Sequence, residues 1–316
     1  MATLQSTIDR SGEGGGPLEI RRVAPEDHPQ ALAQLLTGQP AGAEQAVRDF
    51  LGFAVENKLS LDELWAAYKG GRLEATWLAV PCAGRSAMCF LSPILRRATV
   101  PTAGRLIRTA CAALDRQRVR LVQALLDPHH TLQAEAFRAG GFQQLGCLVY
   151  LSRPTAAEER PLVLGPGLQL VTWGEAGRPI FERAILASYE DTQDCPGLLG
   201  LRDIDDIICG HMAAARFEPG LWFAVVDGGE PAAVMLLNSI PQRRAVELTY
   251  LGVGRRWRRR GSARALLQYG LSVAWRHGAQ RMLLAVDQNN VPAMRLYRSM
   301  GFAGGSRKLA MICPLA

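Results

Sequence analysis

The sequence predicts an α/β protein made of two tandem domains, and three observations carry that prediction. The first is the stretch Ala245–Phe302, AVELTYLGVGRRWRRRGSARALLQYGLSVAWRHGAQRMLLAVDQNNVPAMRLYRSMGF, which reads strand, glycine-containing turn, helix, strand, helix. The second is a copy of that order at a constant offset of 160 residues from Ala87/Glu247 to Phe142/Phe302. In it Asp287 falls on Asp127, Leu266-Leu267 on Leu106-Ile107 and Gly301-Phe302 on Gly141-Phe142, an internal repeat of fold. The third is Arg153–Pro166, RPTAAEERPLVLGP, whose three prolines and charge cluster read as a linker. The expected division is a flexible tail over 1–16, a first domain over 17–153, a linker over 154–166 and a second domain over 167–316.

Each element follows from local pattern. Leu18–Val23 alternates as a strand, and Pro25-Glu26-Asp27 opens a helix to about Leu36. Helices are expected over Ala43–Glu56 and around Leu61–Tyr68, and strands over Trp77–Val80 and Ala87–Leu95. Helix Thr102–Gln117, strand Val119–Leu126, helix His130–Ala139 and strand Cys147–Leu151 complete the first copy. In the second, Leu168–Thr172 is a strand and Pro179–Tyr189 a helix. Leu221–Asp227 and Ala232–Ile240 are strands joined by a turn at Asp227-Gly228-Gly229. The long stretch follows, and Lys308–Ile312 closes the domain.

Composition narrows the function classes. With 48% hydrophobic and 21% charged residues the chain buries an ordinary globular core, and no run approaches the ~18 apolar residues of a membrane span. The first sixteen residues lack the apolar centre of a signal peptide. Seven cysteines, an odd number with no C-x-x-C pair, read as core thiols of a reduced, cytoplasmic protein. No spacing suggests a metal site. The net charge of +7 suits anionic ligands, a phosphorylated cofactor or a nucleic acid.

The turn favours the cofactor. The first amides of a helix have no partner within it, and with the helix dipole they form an anion site suited to a diphosphate. Gly261 lets the main chain approach closely, Ala263 keeps the same face clear, and Arg258 and Arg264 add charge. The pattern Arg258-x-x-Gly261-x-Ala263 resembles the Q/R-x-x-G-x-G/A signature of the GNAT acyltransferases. Asn290-x-x-Ala293-x-x-Leu296-Tyr297-x-x-x-Gly301-Phe302 is similar to that family's second signature, at the family's separation.

The resemblance implies tandem GNAT-like acyl-CoA N-acyltransferase domains, each an α+β mixed, mostly antiparallel sheet flanked by helices. It further implies transfer of an acetyl or acyl group from acetyl-CoA to an amine acceptor by direct attack, without a metal, in the C-terminal domain. It places the donor on Leu251, Gly252, Val253, Arg258, Arg259, Arg260, Gly261, Ser262, Ala263, Arg264 and Asn290. Leu251 is the oxyanion donor through its amide, and Gly252 marks a strand bulge. Glu247, eleven residues ahead of Arg258, is the expected general base, with a solvated or arginine-paired carboxylate as the alternative. Tyr297 is the expected general acid toward the sulfur, with a core aromatic as the alternative. Asn290 either contacts the cofactor or caps the helix that follows.

At an offset of 160, Glu247 becomes Ala87, Arg258 becomes Ala98, Gly261 becomes Pro101, Asn290 becomes His130 and Tyr297 becomes Phe137. Pro101 has no N–H to donate. The first copy therefore reads as non-catalytic. The region Ser188–Pro219, which shapes acceptor binding in the resembled family, carries seven acidic residues against Arg202 and Arg216. It reads as a patch for a cationic acceptor or as a solvated, acidic helix start. A coenzyme-A-binding scaffold without turnover and a nucleic-acid binder through Arg255–Arg260 are the remaining readings. The acceptor's identity and the oligomeric state are not legible.

Overall fold

The computed structural model describes residues 16–37, 42–157 and 164–315, and the backbone of Thr7–Asp9. In chain order the elements are β1 (Thr7–Asp9), β2 (Leu18–Arg22), α1 (His28–Leu35), α2 (Ala43–Glu56), β3 (Leu64–Lys69), β4 (Arg72–Cys82), β5 (Ser86–Leu91), α3 (Val100–Ala113), β6 (Leu121–Leu126), α4 (Thr131–Ala139) and β7 (Gln143–Pro154). There follow β8 (Leu168–Thr172), α5 (Trp173–Ala176), α6 (Arg178–Tyr189), α7 (Ile204–Ala213), β9 (Trp222–Asp227), β10 (Glu230–Ile240), β11 (Ala245–Val253), α8 (Ser262–Arg276), β12 (Arg281–Asp287), α9 (Val291–Ser299) and β13 (Ala303–Pro314). No helix among the described residues is long and apolar enough to cross a membrane.

Two units result: residues 1–145 with 309–316, and residues 146–308. In the first, β1 to β6 pair in sequence order, all antiparallel except β5 with β6, and Leu309–Pro314 pairs antiparallel with β6. In the second, β8 to β12 pair in sequence order, antiparallel except β11 with β12, and Leu148–Pro154 pairs antiparallel with β12. The division differs from the sequence boundaries at both ends. The last strand of each repeat completes the sheet of the other unit, so Lys308–Ile312 does not close the second unit. Equivalent strands present the same alternation and length, and composition does not distinguish them.

Two further expectations change. Leu64–Lys69 is a strand, where the sequence pattern predicts a helix around Leu61–Tyr68. Leu64 and Ala66 pack on one face and Trp65 and Ala67 on the other, so the strand is apolar on both sides and shows no alternation. Of the tail, residues 1–6 and 10–15 lie outside the described residues, and Thr7–Asp9 pairs with Leu18–Ile20 rather than hanging free. Residues 158–163 of the linker also lie outside them, and Pro154 ends β7.

The second unit's core has two layers. Residues Phe223, Val225, Met235, Leu237, Val246 and Leu248 meet Leu266, Leu267 and Leu271 of α8 and Tyr297 of α9. Their alternates Trp222, Ala224, Val234 and Leu236 meet Phe181 and Ile185 of α6 and Ile207 and Ile208 of α7. Period-2 strands between period-3.6 helices give this sandwich. Helices α4 and α9 end alike: Phe142 and Phe302 donate their N–H to the Phe137 and Tyr297 carbonyls, each at 3.0 Å. Gly141 and Gly301 supply the left-handed φ of +97° and +82° that this closure requires.

Candidate active site

A cleft of about 520 Å³ opens in the second unit between the C-terminal part of β11, the turn into α8, the start of α9 and the loop after α6. The turn is its most distinctive wall. Arg259 and Gly261 both have positive φ, +63° and +83°, so the chain coils just before α8 begins at Ser262. Among the described residues, the N–H groups of Arg259 through Arg264 donate to no backbone acceptor, and the next amide, Ala265, bonds back to Gly261. A Cβ at Gly261 would meet nothing within 4 Å, so the space over these amides is open. Six consecutive free donors at a helix start form an anion cradle. Arg264 lines its rim, with its guanidinium 2.7 Å from Ser299 Oγ.

The second wall is the splay of β11 from β12. The parallel pairing runs only from Ala245/Arg281 to Leu248/Leu284. Beyond it, Leu251, Gly252 and Val253 pair on one side with Met235, Val234 and Ala233 of β10, and their other main-chain edge faces the cleft. The bulge expected at Gly252 lies upstream: Leu248 pairs with Leu237 but Tyr250 with Leu236, so Thr249 is the extra residue. Gly252 is small for another reason. A Cβ there would come within 2.4 Å of Ser188 Oγ and 2.8 Å of Tyr250 Cε1.

The bulge sets the faces. Glu247 is opposite Asn238 and Tyr250 opposite Leu236, so both look toward the α6 and α7 side of the sheet despite being three residues apart. Glu247 is half-buried, does not line the cleft, and has its carboxyl raised above the usual range by burial, with Arg243 opposing. Its field and burial also raise the Tyr150 phenol, burial being the larger cause. Tyr150 lies on β7 opposite Ala285, which does line the cleft. The sequence reading passed over Tyr150 because it assigned β7 to the first domain. The signal was present, since the 160-residue offset puts Tyr150 on Ala310.

Tyr297 is 7% exposed and faces the cleft. Its ring meets Phe302 edge-on at 5.7 Å, and its hydroxyl has no hydrogen-bond partner among the described residues. Burial raises its pKa, and the nearby Asp194 charge adds to that. Asn290 caps α9, its Oδ1 accepting from Ala293 N–H at 3.3 Å, and it also lines the cleft. Tyr250 donates to or accepts from Ser188 Oγ at 2.7 Å.

The arginines divide. Arg258 lines the cleft, but its guanidinium donates to the carbonyls of Val253 at 3.1 Å, Ser188 at 3.1 Å and Asp191 at 3.2 Å, and to that of Glu190. It clamps the end of α6 to β11. Arg255 pairs with Glu190 at 2.8 Å and Asp191 at 3.2 Å. Arg260 does not line the cleft; its guanidinium sits 5.3 Å from the centre of the Trp257 ring. The acidic patch expected over Ser188–Pro219 is largely neutralised, with Asp205 on Arg178 and Glu218 on Arg216 and His277. Asp203 stands at the N-cap position of α7 without a side-chain cap hydrogen bond, and Asp205 and Asp206 lie in its first turn, as the helix dipole favours. Burial, aided by Arg202, pushes the His211 imidazole down to about 4.

The first unit shows what the same layout becomes without these residues. Its strand β5 pairs through Ala79/Cys89 and Leu78/Phe90 with no bulge. The structural partner of Glu247 is therefore Met88, an offset of 159, while Tyr250 matches Phe90 at 160. This corrects Ala87 as the counterpart, and the position is still not acidic. Pro101 stands in the first turn of α3. Gln133, in the place of Ala293, donates to the Leu91 carbonyl at 2.9 Å, in the place of Leu251. A side chain thus fills the gap that the second unit leaves open.

Comparison with known proteins shows what the segment around the cleft is similar to. Residues 185–302 match the family model described as the acetyltransferase (GNAT) family, and the match spans the cleft from α6 to α9. The second unit thus carries a segment that matches the GNAT acetyltransferase family over these residues. The chain is an acyltransferase, with the mixed, mostly antiparallel sheet and flanking helices of that fold. A GCN5-related N-acetyltransferase from Sphaerobacter thermophilus shares the fold at 22% identity and a TM-score of 0.53, over 94% of this chain and 95% of that one. A tandem GNAT protein from the clavulanic acid biosynthesis pathway does so at 15% identity and 0.52, over 94% and 98%. No curated protein sequence matches the chain.

Proposed function

We propose that the second unit transfers an acetyl group from acetyl-CoA to an amine. The observation that carries this is the run of unbonded amides from Arg259 to Arg264, opening on the same cleft as the free hydroxyl of Tyr297. These donors suit the diphosphate of a coenzyme, and the unpaired edge of Leu251–Val253 suits its amide-bearing arm, with the Leu251 N–H stabilising the oxyanion. The amine nitrogen attacks the thioester carbonyl, the C–N bond forms and the C–S bond breaks. Glu247 takes the nitrogen's proton, directly or through water, and Tyr297 returns one to the sulfur. Burial raises the proton affinity of the Glu247 carboxylate, the direction a general base requires.

On this reading the first unit binds no donor, since Pro101, Gln133 and Phe137 occupy the three places that matter. The test is calorimetry of the whole protein with acetyl-CoA, followed by thiol release with a panel of amines. Micromolar binding with release of free thiol is expected. Binding without release from any amine would mark a scaffold, and no binding at millimolar acetyl-CoA would overturn the proposal.

A further inference from the structure

We infer that Tyr250 is an acceptor-binding residue: its hydroxyl oxygen, left with only lone pairs to offer, takes an N–H of the incoming amine. The inference rests on the transfer reaction proposed above. The directions of two hydrogen bonds carry it. Ser188 Oγ lies 2.7 Å from the Ile185 carbonyl, which can only accept, so the single serine proton is committed there. Ser188 Oγ also lies 2.7 Å from the Tyr250 hydroxyl, and with no serine proton left the phenol is the donor. Among the described residues the Tyr250 oxygen has no other hydrogen-bond partner.

The pair is built into the wall of the cleft, which both residues line. Ser188 is buried, and its carbonyl is held by Arg258 at 3.1 Å. The phenol is fixed from two further sides, by Tyr189 edge-on at 6.0 Å between ring centres and by His211 at 5.4 Å. Another edge of the ring lies over Gly252, whose missing side chain leaves room for both Tyr250 and Ser188. Gly252 belongs to the strand edge proposed for the thioester arm, so the phenol borders the carbonyl to be attacked. A neutral primary amine has two N–H groups. Glu247, on the same face of β11, takes the proton of one, and Tyr250 holds the other. As the C–N bond forms, the nitrogen becomes positive and its N–H a stronger donor, so the bond to Tyr250 tightens toward the transition state. No proton moves to or from the phenol, whose pKa burial raises.

The test measures thiol release by the whole protein at saturating acetyl-CoA with two isomers from the amine panel. One is n-propylamine, with two N–H groups; the other is N-methylethylamine, whose single N–H goes to Glu247. Tyr250→Phe keeps the ring contacts and should lower kcat/KM for n-propylamine at least about ten-fold, the scale of a hydrogen bond to a charged group. For N-methylethylamine the fall should stay under about three-fold, with acetyl-CoA affinity within about two-fold of wild type. Ser188→Ala frees the phenol proton to turn into the cleft. It should slow n-propylamine about as much as Tyr250→Phe does, and the double variant should be no slower than either. An equal loss for both isomers marks a structural role and overturns the inference, as do wild-type rates in Tyr250→Phe or additive losses in the double variant. Release from neither isomer also overturns it, whereas release from no amine of the panel overturns the transfer reaction itself.

Discussion

Tyr297 and Glu247 can be separated from their structural surroundings because the molecule contains its own controls. Phe137 fills the place of Tyr297 in the first unit and stacks edge-on against Phe142 at 4.9 Å, as Tyr297 does against Phe302 at 5.7 Å. Tyr297→Phe should therefore fold normally. Its kcat should fall about 10²-fold, the scale of a lost general acid, with acetyl-CoA affinity within about two-fold of wild type. An unchanged kcat in steady-state assays would return Tyr297 to the core. For Glu247 the stability argument has a definite sign. Burial raises its folded pKa, so the folded state binds more protons than the unfolded one between the two values. The group's contribution is full below the unfolded value of about 4.3 and is lost as pH rises through the folded value. Glu247→Gln should thus melt no lower than wild type at pH 8, with any gain vanishing near pH 4. Its turnover should fall most at acidic to neutral pH, where the amine is protonated. A variant that melts lower at pH 8, or keeps the wild-type rate profile, contradicts the assignment.

At the scale of elements, the turn ahead of α8 is the sensitive point. Gly261 has open space at its Cβ, so Gly261→Ala meets no clash within the protein and costs only the left-handed φ, about 1–2 kcal/mol by denaturation. The same methyl would stand over the free amides, and coenzyme A binding should weaken about ten-fold or more. A loss of stability without a loss of affinity would show that the diphosphate lies elsewhere. Arg258→Ala should act differently. It removes the clamp on the α6 end, raising KM for the amine more than for acetyl-CoA, and lysine should not restore it because one ammonium cannot reach the spread of carbonyls. This turn was legible in the sequence because a glycine requirement and a helix start leave marks at fixed spacing. Arg258 was legible as a site residue but not as a clamp, since three of its four carbonyl partners lie 67 to 70 residues away. The bulge at Thr249 was invisible, because an extra residue shows only against the pairing of β10. It was read at Gly252, where the glycine answers to Ser188 instead.

At the scale of the molecule, the units differ from the halves of the sequence by one strand each, and this has a consequence for any attempt to isolate the transfer site. In the second unit, β12 is held along Arg281–Asp287 by Leu148–Pro154, and through only four residues by β11. Val149 and Leu151 are 4% exposed and belong to the core that contains Tyr297. A fragment of residues 167–308, cut where prolines and charges suggest a boundary, leaves β12 as a bare edge and removes both side chains. Two such side chains contribute roughly 3–6 kcal/mol, a large share of a typical domain's total of about 5–15 kcal/mol, and an unpaired edge invites association between chains. That fragment should aggregate or melt without cooperativity, whereas residues 146–308 should melt cooperatively and bind coenzyme A. Calorimetric scans of the two fragments compare them directly. Cooperative melting of 167–308 with full coenzyme A affinity would show that the strand before the linker is dispensable, and with it the placement of Tyr150 beside Glu247 would lose its functional meaning.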